Sequence, residues 1–165
     1  MKLEIQFIDL VMQAALEQAR AALDLGEVPV GAAIGRDGGV IAVGHNEIES
    51  ARDATLHAEI VAIRRASNLQ KDWRLNDTVL CVTLEPCTMC AGAIRQARIP
   101  VVAFGAADPK FGAFGSIYDL SHDSRLGLPI RVIAGVQAQS CTELLTEFFK
   151  KARSRAEPRK GTICR

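Results

Sequence analysis

Apolar residues along the chain fall into two rhythms, and the switches between them mark out the elements. Phe7, Leu10, Val11, Ala14, Ala15 and Leu16 recur at helical spacing, which predicts a first helix running to about Leu25 with Gly26 as its stop. Pro29 to Ile34 and Val40 to Gly44 are apolar runs on either side of Arg36-Asp37-Gly38-Gly39, the pattern of a β-hairpin, with the polar Asn46 just past its second strand. Thr55 is a fair N-cap for a helix over about His57 to Ala66, which puts Glu59 in a first turn where a carboxylate is favoured. Thr78 to Leu84 is a β-rich run ending at Glu85-Pro86, and the proline can open a helix through about Ala97. Ile99 to Phe104 and Ile130 to Ala134 read as two further strands. Thr142 to Arg153 reads as a closing helix with Leu144, Leu145, Phe148 and Phe149 inside. Strands alternating with helices imply an α/β layered fold with helices on the sheet faces.

Length and composition narrow the class. A chain of 165 residues, 48% apolar and 24% charged, fits one globular domain, taken here as residues 1–153. No stretch approaches the roughly 20 apolar residues that span a bilayer. Lys2 and Glu4 stand where a secretory signal would be apolar, so a cytoplasmic protein is expected. Charge is uneven beneath the net +1: residues 150–165 carry seven basic side chains against one acidic, a net +6, which leaves −5 for residues 1–149. Residues 154–165 therefore read as a basic C-terminal tail, either a contact for a polyanionic partner or the solvated end of the last helix.

Chemistry concentrates in two fragments, His57-Ala58-Glu59 and Pro86-Cys87-Thr88-Met89-Cys90. Five cysteines in a chain expected to be cytosolic argue against a disulfide framework, and only Cys87 and Cys90 have ligand spacing. Cysteines three apart in the first turn of a helix put both sulfurs on one side, and a histidine opening a second helix can supply a third ligand. Both positive helix ends would favour thiolate, and mixed imidazole and thiolate donors suit zinc. Three protein ligands leave a position for an activated water. Glu59, two residues from His57, is turned away from the ion and toward that water, where it can act as general acid and base. The other reading is a closed structural site completed by Cys81, Cys141, Cys164, His45 or His122, none of which has paired spacing.

The two fragments match the His-x-Glu and Pro-Cys-x-x-Cys pattern of the zinc deaminases. The run Val79-Leu80-Cys81-Val82-Thr83-Leu84-Glu85-Pro86-Cys87-Thr88-Met89-Cys90-Ala91-Gly92-Ala93-Ile94 then resembles the core segment of the bacterial tRNA-specific adenosine deaminase family. Gly26 to Ala32, Phe104 to Ser116 and Cys141 to Phe149 are similar to other runs of that family, and the likeness extends over about residues 7–153. It departs at Leu56, Cys81 and Ala107.

That resemblance implies a cytidine deaminase-like three-layer α/β/α fold around a mixed five-stranded sheet. It implies a homodimer, with one zinc per subunit held by His57, Cys87 and Cys90 and with Glu59 as proton shuttle. The implied reaction is hydrolytic deamination of adenosine to inosine at the wobble position (34) of a tRNA anticodon loop by a zinc-activated water. Asn46 would hydrogen-bond the flipped nucleotide, and Asp108, Lys110 and Phe149 would lie along the RNA groove. Taken alone, Asn46 could simply end a strand, Asp108-Pro109 could be turn chemistry, and one of Phe148 and Phe149 should pack inward. Two rival functions stay open at this point. One is deamination of a free base or nucleoside such as guanine, cytosine or cytidine; the other is a noncatalytic zinc-containing RNA-binding subunit, for which the acid at Glu59 has no use.

Overall fold

The computed structural model describes residues 2–156. Helix α1 (Lys2–Asp24) leads into strands β1 (Gly31–Arg36) and β2 (Gly39–His45), a single-turn helix α2 (Ile48–Ala51) and helix α3 (Ala58–Gln70). Then come β3 (Val79–Leu84), α4 (Thr88–Gln96), β4 (Val101–Ala106), β5 (Arg131–Ala134) and α5 (Ala138–Ala156). The sheet is mixed and five-stranded in the order β2-β1-β3-β4-β5. Strand β1 is antiparallel to both of its neighbours, while β3, β4 and β5 run parallel.

Both faces of the sheet are covered, so its strands bury residues of either parity. Ala32, Ile34, Leu80, Val82, Val102 and Phe104 pack with Ala58, Ala62 and Ala66 of α3 and Ala91 and Ile94 of α4. Ala33, Val79, Cys81 and Ala103 face the other way, onto Ile8, Val11, Met12, Ala15 and Leu16 of α1 and Cys141 of α5. The expected three-layer α/β/α architecture is the one observed. Cys81 is fully buried here as core packing.

Close contact between layers depends on missing side chains. A Cβ on Gly31 would fall 2.0 Å from the Ala15 carbonyl oxygen of α1, and one on Gly44 would fall 2.6 Å from the Ala62 nitrogen of α3. The β1–β2 turn has positive φ at Asp37 (52°) and Gly38 (81°), as a two-residue hairpin with right-handed strand twist requires.

Several expectations are corrected. Leu10 is 51% exposed, because the inward stripe of α1 runs through Ile8, Val11, Met12, Ala15 and Leu16. Thr55 does not cap α3; its hydroxyl donates to Asp53 Oδ1 at 2.7 Å, and His57 holds the N-cap position. Pro86 lies one residue before the N-cap of α4, which is Cys87. Of the pair Phe148 and Phe149, the first is half-buried and the second is 49% exposed, in line with the expectation that one of them packs inward. Helix α2 and a 3-10 turn at Ser124–Leu126 had no sequence signal strong enough to predict them. The expected boundary at 153 falls inside α5, and residues 157–165 of the basic tail lie outside the described residues.

The parallel step from β4 to β5 is made by the long segment 107–130. Arg95 on α4 ties down its second half, donating to the carbonyls of Leu120, Ser121, Leu126 and Leu128. Packing at Gly31 makes a direct prediction. Gly31→Ala should lower stability by about 3 kcal/mol, the upper end of overpacking costs, read from the urea midpoint, because the contact is with helix backbone that cannot move aside.

Candidate active site

Helices α3 and α4 begin side by side, and each presents its N-cap residue to the other. His57 and Cys87 both have the extended backbone usual at an N-cap, with ψ of 155° and 175°, yet neither side chain makes a capping bond to its own helix, which leaves both free to meet each other. His57 Nδ1 lies 3.7 Å from Cys87 Sγ and 3.5 Å from Cys90 Sγ. The ligand atoms of the three residues all fall within 4.8 Å of one another, and this is the one such group among the described residues. Tetrahedral zinc with ordinary bond lengths holds its nitrogen and sulfur donors about 3.6 Å apart. The cluster therefore fits a tetrahedral metal ion with one position left over. Cys141 is buried against β4 at Gly105, and Cys81 sits in the core near the Ile8 carbonyl, so neither completes a closed site.

The three groups act on one another's protons. A hydrogen bond from the Cys90 thiol, and a further one from His57, hold the Cys87 thiol down to about 3. The same Cys90–Cys87 bond, together with burial, pushes Cys90 up. The Cys87 sulfur in turn raises His57. A metal entering here must displace protons, since thiolates and neutral imidazole are the binding forms.

Glu59 is 3% exposed in the first turn of α3. Burial pushes its carboxyl above the usual range, with the neighbouring His57 acting in the opposite sense. A carboxyl raised in this way holds and releases a proton nearer to neutral pH, the property a general acid and base needs. Asn46 is also buried, and its Oδ1 accepts the Ala58 N–H at 3.1 Å. It thus caps α3 from outside the helix. That bond orients the amide so that the NH2 group is the end left for the cavity.

These residues open onto one cavity of about 920 Å3, lined by His57, Glu59, Cys87, Asn46, Asp108, Lys110 and Phe149 among others. Of His57, Glu59, Cys87, Cys90, Asn46, Asp108, Lys110 and Phe149, all line it except Cys90, which is fully buried. Asp108 carries a second duty, its Oδ1 accepting the N–H groups of Lys110 and Phe111 in a tight turn. Phe111 and Tyr118 also line the cavity and are 67% and 57% exposed. Sequence reasoning passed over both, because an aromatic in a loop carries no periodicity to mark its side.

A family model described as MafB19-like deaminase matches residues 8–153. The chain is 43% identical to the tRNA-specific adenosine deaminase of Streptococcus pyogenes serotype M1, over 92% of this chain and 89% of that protein. The chain belongs to the tRNA-specific adenosine deaminase family within the MafB19-like deaminases. It is also 40% identical to the tRNA-specific adenosine deaminase of Haemophilus influenzae, over 98% of this chain and 94% of that one. A solved structure from work on A-to-I editing by tRNA:A34 deaminases superposes with a TM-score of 0.79 at 41% identity, covering 82% of this chain and 98% of that chain. Guanine deaminase from Nitrosomonas europaea superposes with a TM-score of 0.72 at 26% identity, covering 85% and 83%.

The other wall of the cavity rests on Glu27, whose buried carboxylate accepts the N–H groups of Glu49 (3.2 Å) and Ser50 (2.8 Å) at the start of α2. Burial alone would raise this carboxyl, but the Ser50 and Glu49 N–H groups and nearby His45 bring it below its ordinary 4.5. A lowered folded-state value means stabilisation that is present above 4.5 and is lost as pH falls through the folded value. Glu27→Gln should therefore cost about 2 kcal/mol at neutral pH, with the deficit shrinking in acid, measured by urea midpoints across that range. For the cluster, Cys87→Ala should abolish stoichiometric metal in protein purified without chelator, while Cys81→Ala should retain it, as counted by elemental analysis.

Proposed function

We propose that the chain is a zinc-dependent hydrolase that converts adenosine to inosine at the wobble position of tRNA. The observation that carries this reading is the open donor cluster with Glu59 beside it, at the base of a cavity whose mouth presents Lys110 and three exposed aromatics. His57, Cys87 and Cys90 would hold one zinc ion per subunit, which supplies the Lewis acidity that makes water a nucleophile at neutral pH. Glu59 takes the water's proton as the oxygen bonds to C6 of adenine and passes it to the ring nitrogen N1. The hydroxyl now on C6 gives its proton to the exocyclic amine through the same carboxylate, the C6–N bond breaks as the C6 carbonyl forms, and ammonia leaves inosine behind. The Asn46 amide donates to an acceptor on the extruded nucleotide, while Asp108, Lys110 and Phe149 border the groove for its neighbours. A loop base is cheap to extrude because it is unpaired, and an aromatic rim can take the bases left beside it.

The chief rival is deamination of a free base, favoured by the likeness to guanine deaminase. Identity weighs against it, at 26% for that enzyme and 41% for the tRNA:A34 deaminase. We read the enzyme as a homodimer in the cytoplasm, where tRNA is matured. No helix among the described residues is long and apolar enough to cross a membrane.

The test is to incubate purified protein with a transcribed tRNA carrying A at the wobble position and to sequence for inosine, with free adenosine, guanine and cytidine in parallel. Inosine in the RNA and no turnover of the free compounds is expected. Turnover of a free base alone would transfer the enzyme to the rival class. Glu59→Ala should reduce the rate about 1,000-fold while zinc stays bound, since that carboxylate is no ligand.

A further inference from the structure

The first half of the long β4–β5 connection forms a wall of the cavity, and its shape is set by one buried carboxylate that the chemistry itself does not use. Glu85 follows the last residue of β3 and stands two residues before Cys87. It is 3% exposed, and none of the ion pairs among the described residues involves it. Its charge is held by donors of the wall instead. Oε1 accepts the N–H groups of Phe114 (3.0 Å) and Ser116 (3.1 Å). Oε2 accepts the N–H of Asp108 (3.0 Å) and the Ser116 hydroxyl. The segment 108–116 thus curls around a single anion.

Two further contacts key the same segment to the start of α4, where Cys87 lies. The Ala113 N–H donates to the Pro86 carbonyl at 2.9 Å, and Gly112 bridges to Cys87. Gly112 has no room for a side chain, because a Cβ there would meet Glu85 Oε2 at 2.5 Å. Asp108, Lys110 and Phe111 of this segment line the same cavity as Glu85 itself.

We propose that Glu85 is a positioning residue for the substrate wall: it folds segment 108–116 so that Asp108, Lys110 and Phe111 stand at a fixed distance from the Cys87 ligand and receive the nucleotides flanking the reacting one. The inference rests on the RNA reading above for its substrate. All four groups that face the carboxylate are donors, so only a group that accepts on both oxygens satisfies them. A glutamine has the same shape but must turn its NH2 against at least one N–H of the wall, which costs that bond and leaves a buried donor facing a donor. Because the wall touches the flanking nucleotides and not the reacting atoms, the loss should fall on substrate binding and spare the chemical step.

The test compares wild type, Glu85→Gln and Ser116→Ala as full-length, zinc-loaded proteins on an anticodon stem-loop RNA with A at the wobble position. For Glu85→Gln, KM should rise about tenfold or more, with kcat within about threefold of wild type and zinc still at one per chain. Amide hydrogen exchange should accelerate at 108–116 and remain unchanged in β3 and α4. Ser116→Ala removes one donor only, so it should raise KM in the same direction by a smaller factor, and it decides the matter if Glu85→Gln does not fold. An unchanged KM in both variants, a fall confined to kcat, or loss of zinc from Glu85→Gln would overturn the proposal. If wild type makes no inosine in this RNA, the functional reading fails by itself, and the exchange measurement still decides whether Glu85 holds the wall.

Discussion

The convergence of two helix N-termini on His57 and Cys87 is the constraint from which the rest of the site follows. A helix start is already electropositive and rich in unpaired N–H groups, so it favours thiolate and tolerates a nearby carboxylate. Bringing two such starts within 4.8 Å of shared donors demands close packing beneath them. Small residues supply it: Gly44 lets β2 lie against α3, and Ala58, Ala62 and Ala66 keep that helix low on the sheet. A larger residue in this row would lift α3 and carry His57 and Glu59 with it. Core composition on this face therefore acts on the chemistry as well as on stability.

Around that centre the irregular segments are held by charged side chains that find backbone partners. Buried Glu27 collects the N–H groups of α2 and buried Glu85 those of the segment after β4, while the partly exposed Arg95 collects the carbonyls farther along the same connection. Each side chain replaces regular secondary structure as the partner of an irregular segment, which would otherwise leave polar groups unpaired. No buried side-chain nitrogen or oxygen among the described residues lacks a partner. The result is a cavity whose lining comes from loops but whose loops are tied to strands and helices, as precise placement of a substrate requires.

Much of this was legible in the chain. The layered class, the five strands and the two chemical fragments follow from periodicity and spacing, because a buried sheet and two helix starts each impose a local pattern. The His57, Cys87 and Cys90 cluster followed from residue type, since two cysteines three apart and a histidine opening a helix have few other uses together. Less visible were the N-cap positions. Thr55 looked like the cap of α3, yet its hydroxyl is committed to Asp53, and the remote Asn46 takes the Ala58 N–H instead. Leu10 keeps helical spacing but faces solvent, because periodicity reports a stripe and not which neighbour covers it.

Local sequence determined the elements, the donors and the acid, since these depend on residues within a few positions of one another. Tertiary structure alone decided what surrounds them. The partners of Glu85 stand 23 to 31 residues away along the chain, and Asn46 reaches across 12 residues to cap α3. Such contacts leave no periodic trace, because they join loops whose course is set by the sheet order and by the depth to which glycine and alanine let the helices sink.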